Sequence, residues 1–175
     1  MSARLAPRLA SSLPPLLQRR AMTVHDLDAV VAVEASTYSH PWTRGNFTDS
    51  LAAGYLAEVT LDDERAVVGY FVAMAGVDEL HLLNITMAPA WQGQGHGSVL
   101  LAAVQQHAQA LGLASLWLEV RQSNQRARDL YQRLGFAEVG LRRAYYPAAQ
   151  RREDAVVMSL QLNPVSPVRG PDAVD

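Results

Sequence analysis

The chain has 175 residues, 49% apolar and 18% charged, enough for one domain with a real core and too few for two. Its net charge of −2 favours neither nucleic acid nor an anionic membrane as partner, and no apolar run approaches the roughly 18 residues a membrane-spanning helix requires. Cysteine and lysine are both absent, which excludes disulfides, thiolate nucleophiles, cysteine-ligated zinc, Schiff-base chemistry and a phosphate-loop lysine.

Residues 1–20 carry four arginines and no acid, without helical or strand periodicity. They resemble a mitochondrial presequence in composition, but a disordered or mis-called extension ahead of Met22 is the preferred reading. Ala21–Val24 is then a short extended start, and Asp26 caps a helix to about Thr37 on the spacing of Leu27, Val30, Val31 and Glu34/Ala35. His40-Pro41 ends it, because a residue before proline leaves the helical region. A second helix follows over Arg44–Ala53. Tyr55–Thr60 and Ala66–Ala75 read as a hairpin across the acidic turn 61–65.

Glu79–Met87 is the next strand, followed by a loop with three glycines and an amphipathic helix to about Leu111. Ser115–Val120 reads as a buried strand. Ser123 or Asn124 caps a helix to Leu134, closed by Gly135. Phe136–Arg143 and Asp154–Leu162 complete the strands, and the proline-bearing tail 163–175 reads as disordered. The expected fold class is α/β, with a mixed α+β-type sheet around one parallel crossover and a folded unit over 21–162.

The loop Gln92-Gly93-Gln94-Gly95-His96-Gly97 enters a helix N-terminus, where unpaired N–H groups and the helix dipole suit a pyrophosphate. A dinucleotide fingerprint would use Gly93 and Gly95, but Ser98 stands at the third glycine and the loop lacks the tight strand-to-helix turn. The alternative parse is Q-x-x-G-x-G on Gln92, Gly95 and Gly97. His96 and His107 have no partners at metal-ligand spacing, so no metal is expected.

On that second parse the chain resembles the GNAT N-acetyltransferase superfamily. The likeness continues through Leu83–Pro89, Leu116–Asn124 and Leu130–Phe136. Pro41-Trp42, Trp117-Leu118-Glu119-Val120-Arg121, Arg143–Pro147 and Arg152–Ala155 resemble its ribosomal-protein alanine N-acetyltransferase (RimI) subfamily. His40 departs from it, standing where an apolar residue is usual. The resemblance implies an acyl-CoA N-acyltransferase fold whose central sheet has a splayed strand pair flanked by helices. It also implies acetyl transfer from acetyl-CoA to the N-terminal amine of a protein, a ribosomal one by subfamily. It further implies a cytoplasmic location, with the mitochondrion as the minor alternative through residues 1–20. A monomer or weak dimer is expected, with no nucleic acid or membrane partner. The alternatives are an enzyme acetylating a small amine or a lysine side chain, and a CoA-binding module without catalysis.

The resemblance also assigns roles. Ile85, Thr86 and Met87 would pair with the pantetheine arm through their backbone; Gly93, Gln94, Gly95, His96, Gly97 and Ser98 would hold the pyrophosphate; Asn124 would contact the cofactor. Glu119 would be the proton acceptor and Tyr131 the donor. An acceptor amine of pKa about 8 must shed a proton to attack, and an ordinary carboxylate is about 5 kcal/mol too weak to take it outright, so burial or a water relay must close the gap. Tyrosine falls about 2 kcal/mol short of fully protonating a thiolate, yet a hydrogen bond that strengthens as charge builds on sulfur still helps. Without the resemblance, Glu119 reads as a strand-end carboxylate paired to Arg121, and Tyr131 as part of the apolar stripe Ala127, Leu130, Leu134. On the acceptor side, Trp42, Tyr145 and Tyr146 would wall a peptide N-terminus, with Glu153 and Asp154 reading a basic second residue.

Overall fold

The computed structural model describes residues 17–162; the disordered or presequence-like reading of 1–16 and the disordered reading of 163–175 lie outside that range. Seven strands form one sheet in the order β1-β2-β3-β4-β5-β7-β6. They are β1 (Gln18–Ala21), β2 (Leu56–Leu61), β3 (Val67–Ala75), β4 (Glu79–Met87), β5 (Ser115–Arg121), β6 (Ala137–Tyr146) and β7 (Glu153–Gln161). The helices are α1 (Leu27–Thr37), α2 (Arg44–Ala52), α3 (His96–Ala110) and α4 (Gln125–Arg133). Every neighbouring strand pair is antiparallel except β4 and β5, which α3 connects. No described helix is long and apolar enough to cross a membrane.

The sheet lies between two helical layers because its strands alternate. On β3, Tyr70 and Val72 join Leu27, Val30 and Phe47 of α1 and α2, whereas Phe71 and Ala73 join Leu100, Leu101 and Val104 of α3. Leu116, Leu118 and Val120 of β5 all face the α3–α4 layer. Leu80 and Leu116 are fully buried there, and each such side chain stabilises the fold by about 1.5–3 kcal/mol.

One boundary differs from that expected. The folded unit starts ahead of Ala21, since Gln18–Ala21 pairs antiparallel with β2 as an edge strand. All four residues are exposed, so no alternating burial marks them in the sequence. The start of α1 is set by Asp26, whose carboxylate accepts two hydrogen bonds from Arg20 (2.8 and 2.7 Å) and one from the Thr23 N–H (2.8 Å). That network ties β1 to the first helix and holds the Asp26 carboxyl near 2, below its usual value, chiefly through the Arg20 guanidinium.

The feature that shapes the site is a bulge in β4. Its register against β3 runs Val72↔Asn84 and then Ala73↔Leu82, which leaves Leu83 as the extra residue. Leu80 and Leu82 face α3 before the bulge, and Ile85 and Met87 face it afterwards. The one-residue slip therefore turns Asn84 and Thr86 toward α1. Pairing of β4 with β5 ends at the same place, its last pair being Leu82↔Leu118. Beyond it, Leu83–Met87 and Glu119–Arg121 diverge.

Candidate active site

The divergence opens a cleft of about 750 Å³. Ile85, Glu119, Asn124, Tyr131, Trp42 and Tyr146 line it, together with Glu34, Tyr38, His40 and Asn84. Glu119 reaches it by strand parity: with Leu118 and Val120 committed to the core, the residue between them points to the opposite, open face.

The Glu119 carboxylate pairs with Arg142 at 2.6 Å, its side chain 26% exposed. Arg121, the partner expected from proximity in sequence, instead binds Glu153 at 3.3 Å and the Pro147 carbonyl at 2.9 Å. Tyr145 reaches Glu119 through its hydroxyl, and that acceptor raises the phenol's pKa. The Tyr146 hydroxyl donates to the Glu119 carbonyl at 3.0 Å. The two tyrosine rings meet edge to face at 5.0 Å, with Arg121 over Tyr146 and Arg142 over Tyr145.

Tyr131 is a buried member of the α3–α4 core, as its helical stripe suggests, and its residue also lines the cleft. Burial pushes its pKa above the ordinary value, with Tyr38 and Tyr146 adding to the effect, so the phenol stays protonated throughout the physiological range. Asn124 caps α4, its side-chain oxygen accepting the Ala127 N–H at 3.2 Å.

Glu153 and Asp154 do not line the cleft. Glu153 accepts the Ser123 N–H at 2.7 Å and pairs with Arg121, and these partners lower its pKa. Asp154 accepts the Ala144 N–H at 2.7 Å, holding that residue in a left-handed conformation (φ 50°). Both carboxylates organise the β6–β7 turn.

The glycine loop lies outside the cleft lining, at the start of α3. Gly93 (φ 76°) and Gly95 (φ 86°) are left-handed, and space is open around Gly95. No side chain caps α3 and no acidic residue occupies its first turn. The Ser98 and Val99 N–H groups turn back to the Gly95 carbonyl (3.1 and 3.3 Å), which leaves those of His96 and Gly97 for an external acceptor. The Gln92 side chain donates to the Met87 carbonyl at 2.9 Å, and Gln94 to the Ala90 carbonyl at 2.8 Å, fixing the loop against the end of β4. The His96 ring packs on Trp91 at 5.5 Å. His107 pairs with Glu58 at 2.6 Å.

Residues 27–136 match the acetyltransferase (GNAT) family. The chain is a member of that family. An Escherichia coli [ribosomal protein bS18]-alanine N-acetyltransferase is 36% identical over 138 residues, spanning 79% of this chain and 93% of the relative. The Haemophilus ducreyi protein of the same name is 35% identical over 138 residues, 78% of this chain and 94% of its own. The crystal structure of the Escherichia coli ribosomal-protein-S18-alanine N-acetyltransferase superposes with a TM-score of 0.80 at 31% identity, covering 89% of this chain and all of that one.

GNAT enzymes use acetyl-CoA, and this GNAT chain has places for its parts. The uncapped N-terminus of α3 and residues 93–98 suit the pyrophosphate. The edge of β4 over Ile85, Thr86 and Met87, paired with β3 but left open on the β5 side, suits the amide groups of the pantetheine arm. Arg126 stands beside the loop, 3.2 Å from where a Cβ on Gly93 would lie. Sequence reasoning missed Arg142, Tyr38 and Asn84. Tyr38 lies in the stretch ended by His40-Pro41, and its hydroxyl bonds the Ile85 carbonyl (3.3 Å) and the Thr86 hydroxyl (3.1 Å) across 47 and 48 residues of chain. The motif Arg143–Pro147 flanks Arg142 and could have pointed to it. Asn84 lies inside the stretch Leu83–Pro89, whereas nothing local marks Tyr38.

Proposed function

We propose that this acetyltransferase moves acetyl from acetyl-CoA to the N-terminal α-amine of a protein, the N-terminal alanine of ribosomal protein bS18. The relatives that match nearly their whole length carry that activity in their names. The observation that carries the reading is the sheet opening beyond Leu82 and Leu118, with a carboxylate and a phenol on one cleft.

The acceptor amine enters between Trp42 and Tyr146. Glu119 takes its proton, directly or through one water, and the neutral nitrogen attacks the thioester carbonyl. The developing oxyanion lies against a backbone N–H on the edge of Ile85–Met87 that β5 leaves unpaired. Collapse expels the coenzyme A thiolate, to which Tyr131 gives a hydrogen bond and then its proton. The nitrogen–carbon bond forms as the carbon–sulfur bond breaks. The ammonium gives one proton to solvent by way of Glu119 before attack. The second proton, shed by the nitrogen as the adduct collapses, balances the one gained by sulfur and restores Tyr131. Arg142 and Tyr145 hold the Glu119 carboxylate in place.

The test is acetyl-CoA turnover with peptides beginning Ala-Arg, peptides beginning Ser, and peptides whose only amine is an internal lysine. The Ala-Arg peptide is expected to give the highest kcat/KM, and Glu119→Gln to lower its kcat by about 100-fold between pH 6 and 9. A preference for the internal lysine would overturn the acceptor. Near-normal turnover by Glu119→Gln would overturn the base.

A further inference from the structure

Glu34 has no part in the transfer just described, yet its residue lines the acceptor side of the cleft while being only 2% exposed. Its Oε1 accepts the Trp42 backbone N–H at 2.8 Å and the Asn84 amide at 3.3 Å, and its Oε2 accepts the Tyr70 hydroxyl. All three partners are neutral donors. None of the ion pairs among the described residues includes it.

A carboxylate offers about four acceptor directions, so three donors leave one open. Removing such a charge from water without a cation is costly, and hydrogen bonds from neutral donors offset only part of that cost. The cleft beside it receives a ligand whose reacting group, at pKa about 8, arrives mostly as an ammonium ion and leaves as a neutral acetamide. We infer that Glu34 is the counter-charge for the acceptor's α-ammonium, by which the cleft favours substrate over product. The inference rests on the peptide-amine acceptor proposed above. Glu34 exchanges no proton; it supplies a fixed negative field on the α1 side, while Glu119 on β5 takes the proton.

The bond to Trp42 gives Glu34 a second, structural role in holding the α1–α2 connection, and the test must separate the two. Glu34→Gln does so. Its side-chain oxygen still accepts from Trp42 and Asn84 and its amide donates to the Tyr70 oxygen, so what is lost is the charge and the acceptor of the Tyr70 O–H. The full-length protein, saturated with coenzyme A, is titrated with an Ala-Arg hexapeptide and with the same peptide Nα-acetylated. Turnover is measured on the free-amine form.

The unmodified protein is expected to favour the free amine about tenfold, and Glu34→Gln to lower that preference to about one while raising peptide KM about tenfold. Its kcat should be unchanged or about twofold higher, because an amine next to one fewer carboxylate loses its proton more readily. Affinity for coenzyme A should not move, and a fall in melting temperature from the lost Tyr70 bond should leave the protein folded at the assay temperature. A variant that keeps the preference and KM overturns the inference. So does a variant that loses coenzyme A affinity, which would leave Glu34 a structural anchor. Unmodified protein that binds coenzyme A but neither binds nor acetylates the peptide overturns the proposed acceptor, and this inference with it.

Discussion

Gly69 of β3 stands directly opposite Met87, at the end of β4 where the pantetheine arm would pair. A Cβ on Gly69 would lie 2.5 Å from the Met87 sulfur, 3.0 Å from its methyl and 3.0 Å from the Thr86 carbonyl oxygen. The methionine is flexible and can swing aside, but the carbonyl belongs to the strand and must shift by a few tenths of an ångström. Overpacking of this kind costs about 1–3 kcal/mol, offset by about 0.5–1 kcal/mol for removing a glycine from a strand interior. Gly69→Ala should therefore be destabilised by about 1–2 kcal/mol, lowering Tm by about 2–8 °C for a chain of this size. The displaced atoms belong to Thr86 and Met87, so coenzyme A affinity should fall about threefold to tenfold alongside. Thermal melts and calorimetric titration with coenzyme A on the same preparation check both numbers. If Tm falls while affinity is untouched, the end of β4 does not carry the cofactor. If neither changes, the packing argument at Met87 is wrong.

Tyr131→Phe should lower kcat by about 10–100-fold while changing the KM for acetyl-CoA by less than about threefold, because the lost bond forms only as charge builds on sulfur. An unchanged kcat would leave Tyr131 a core residue alone. The Arg20 guanidinium holds the folded Asp26 carboxyl down to about 2, against its ordinary value of 3.8. Its contribution is therefore present above about pH 4 and lost as pH falls toward 2. The depression corresponds to at most about 2.4 kcal/mol, and screening of the 42%-exposed Arg20 side chain reduces it to about 1–2 kcal/mol. Urea unfolding between pH 2 and 7 should show that acid limb, and Asp26→Asn should flatten it. A variant with the same limb would place the acid sensitivity elsewhere.

Most of the elements were legible in the sequence because their signals are local. Apolar residues at helical spacing, the His40-Pro41 stop, Asn124 as cap and Gly135 (φ 94°) at a helix end each act within one turn of chain. The Q-x-x-G-x-G loop was legible for the same reason, since the glycines and the helix start that make an anion site are adjacent. What escaped depends on residues far apart. An exposed edge strand such as β1 carries no alternating burial, and only its pairing with β2 defines it. The partner of Glu119 is decided by how β6 returns beside β7, which brings Arg142 to it and sends Arg121 to Glu153. The bulge at Leu83 leaves no mark in the apolar run of β4, because any residue there fits a continuous strand. Only the pairing with β3 reveals it: the seven residues Gly69–Ala75 stand against the eight of Leu80–Met87, which turns Asn84 and Thr86 toward α1, and pairing with β5 ends at the same place and leaves the cleft open.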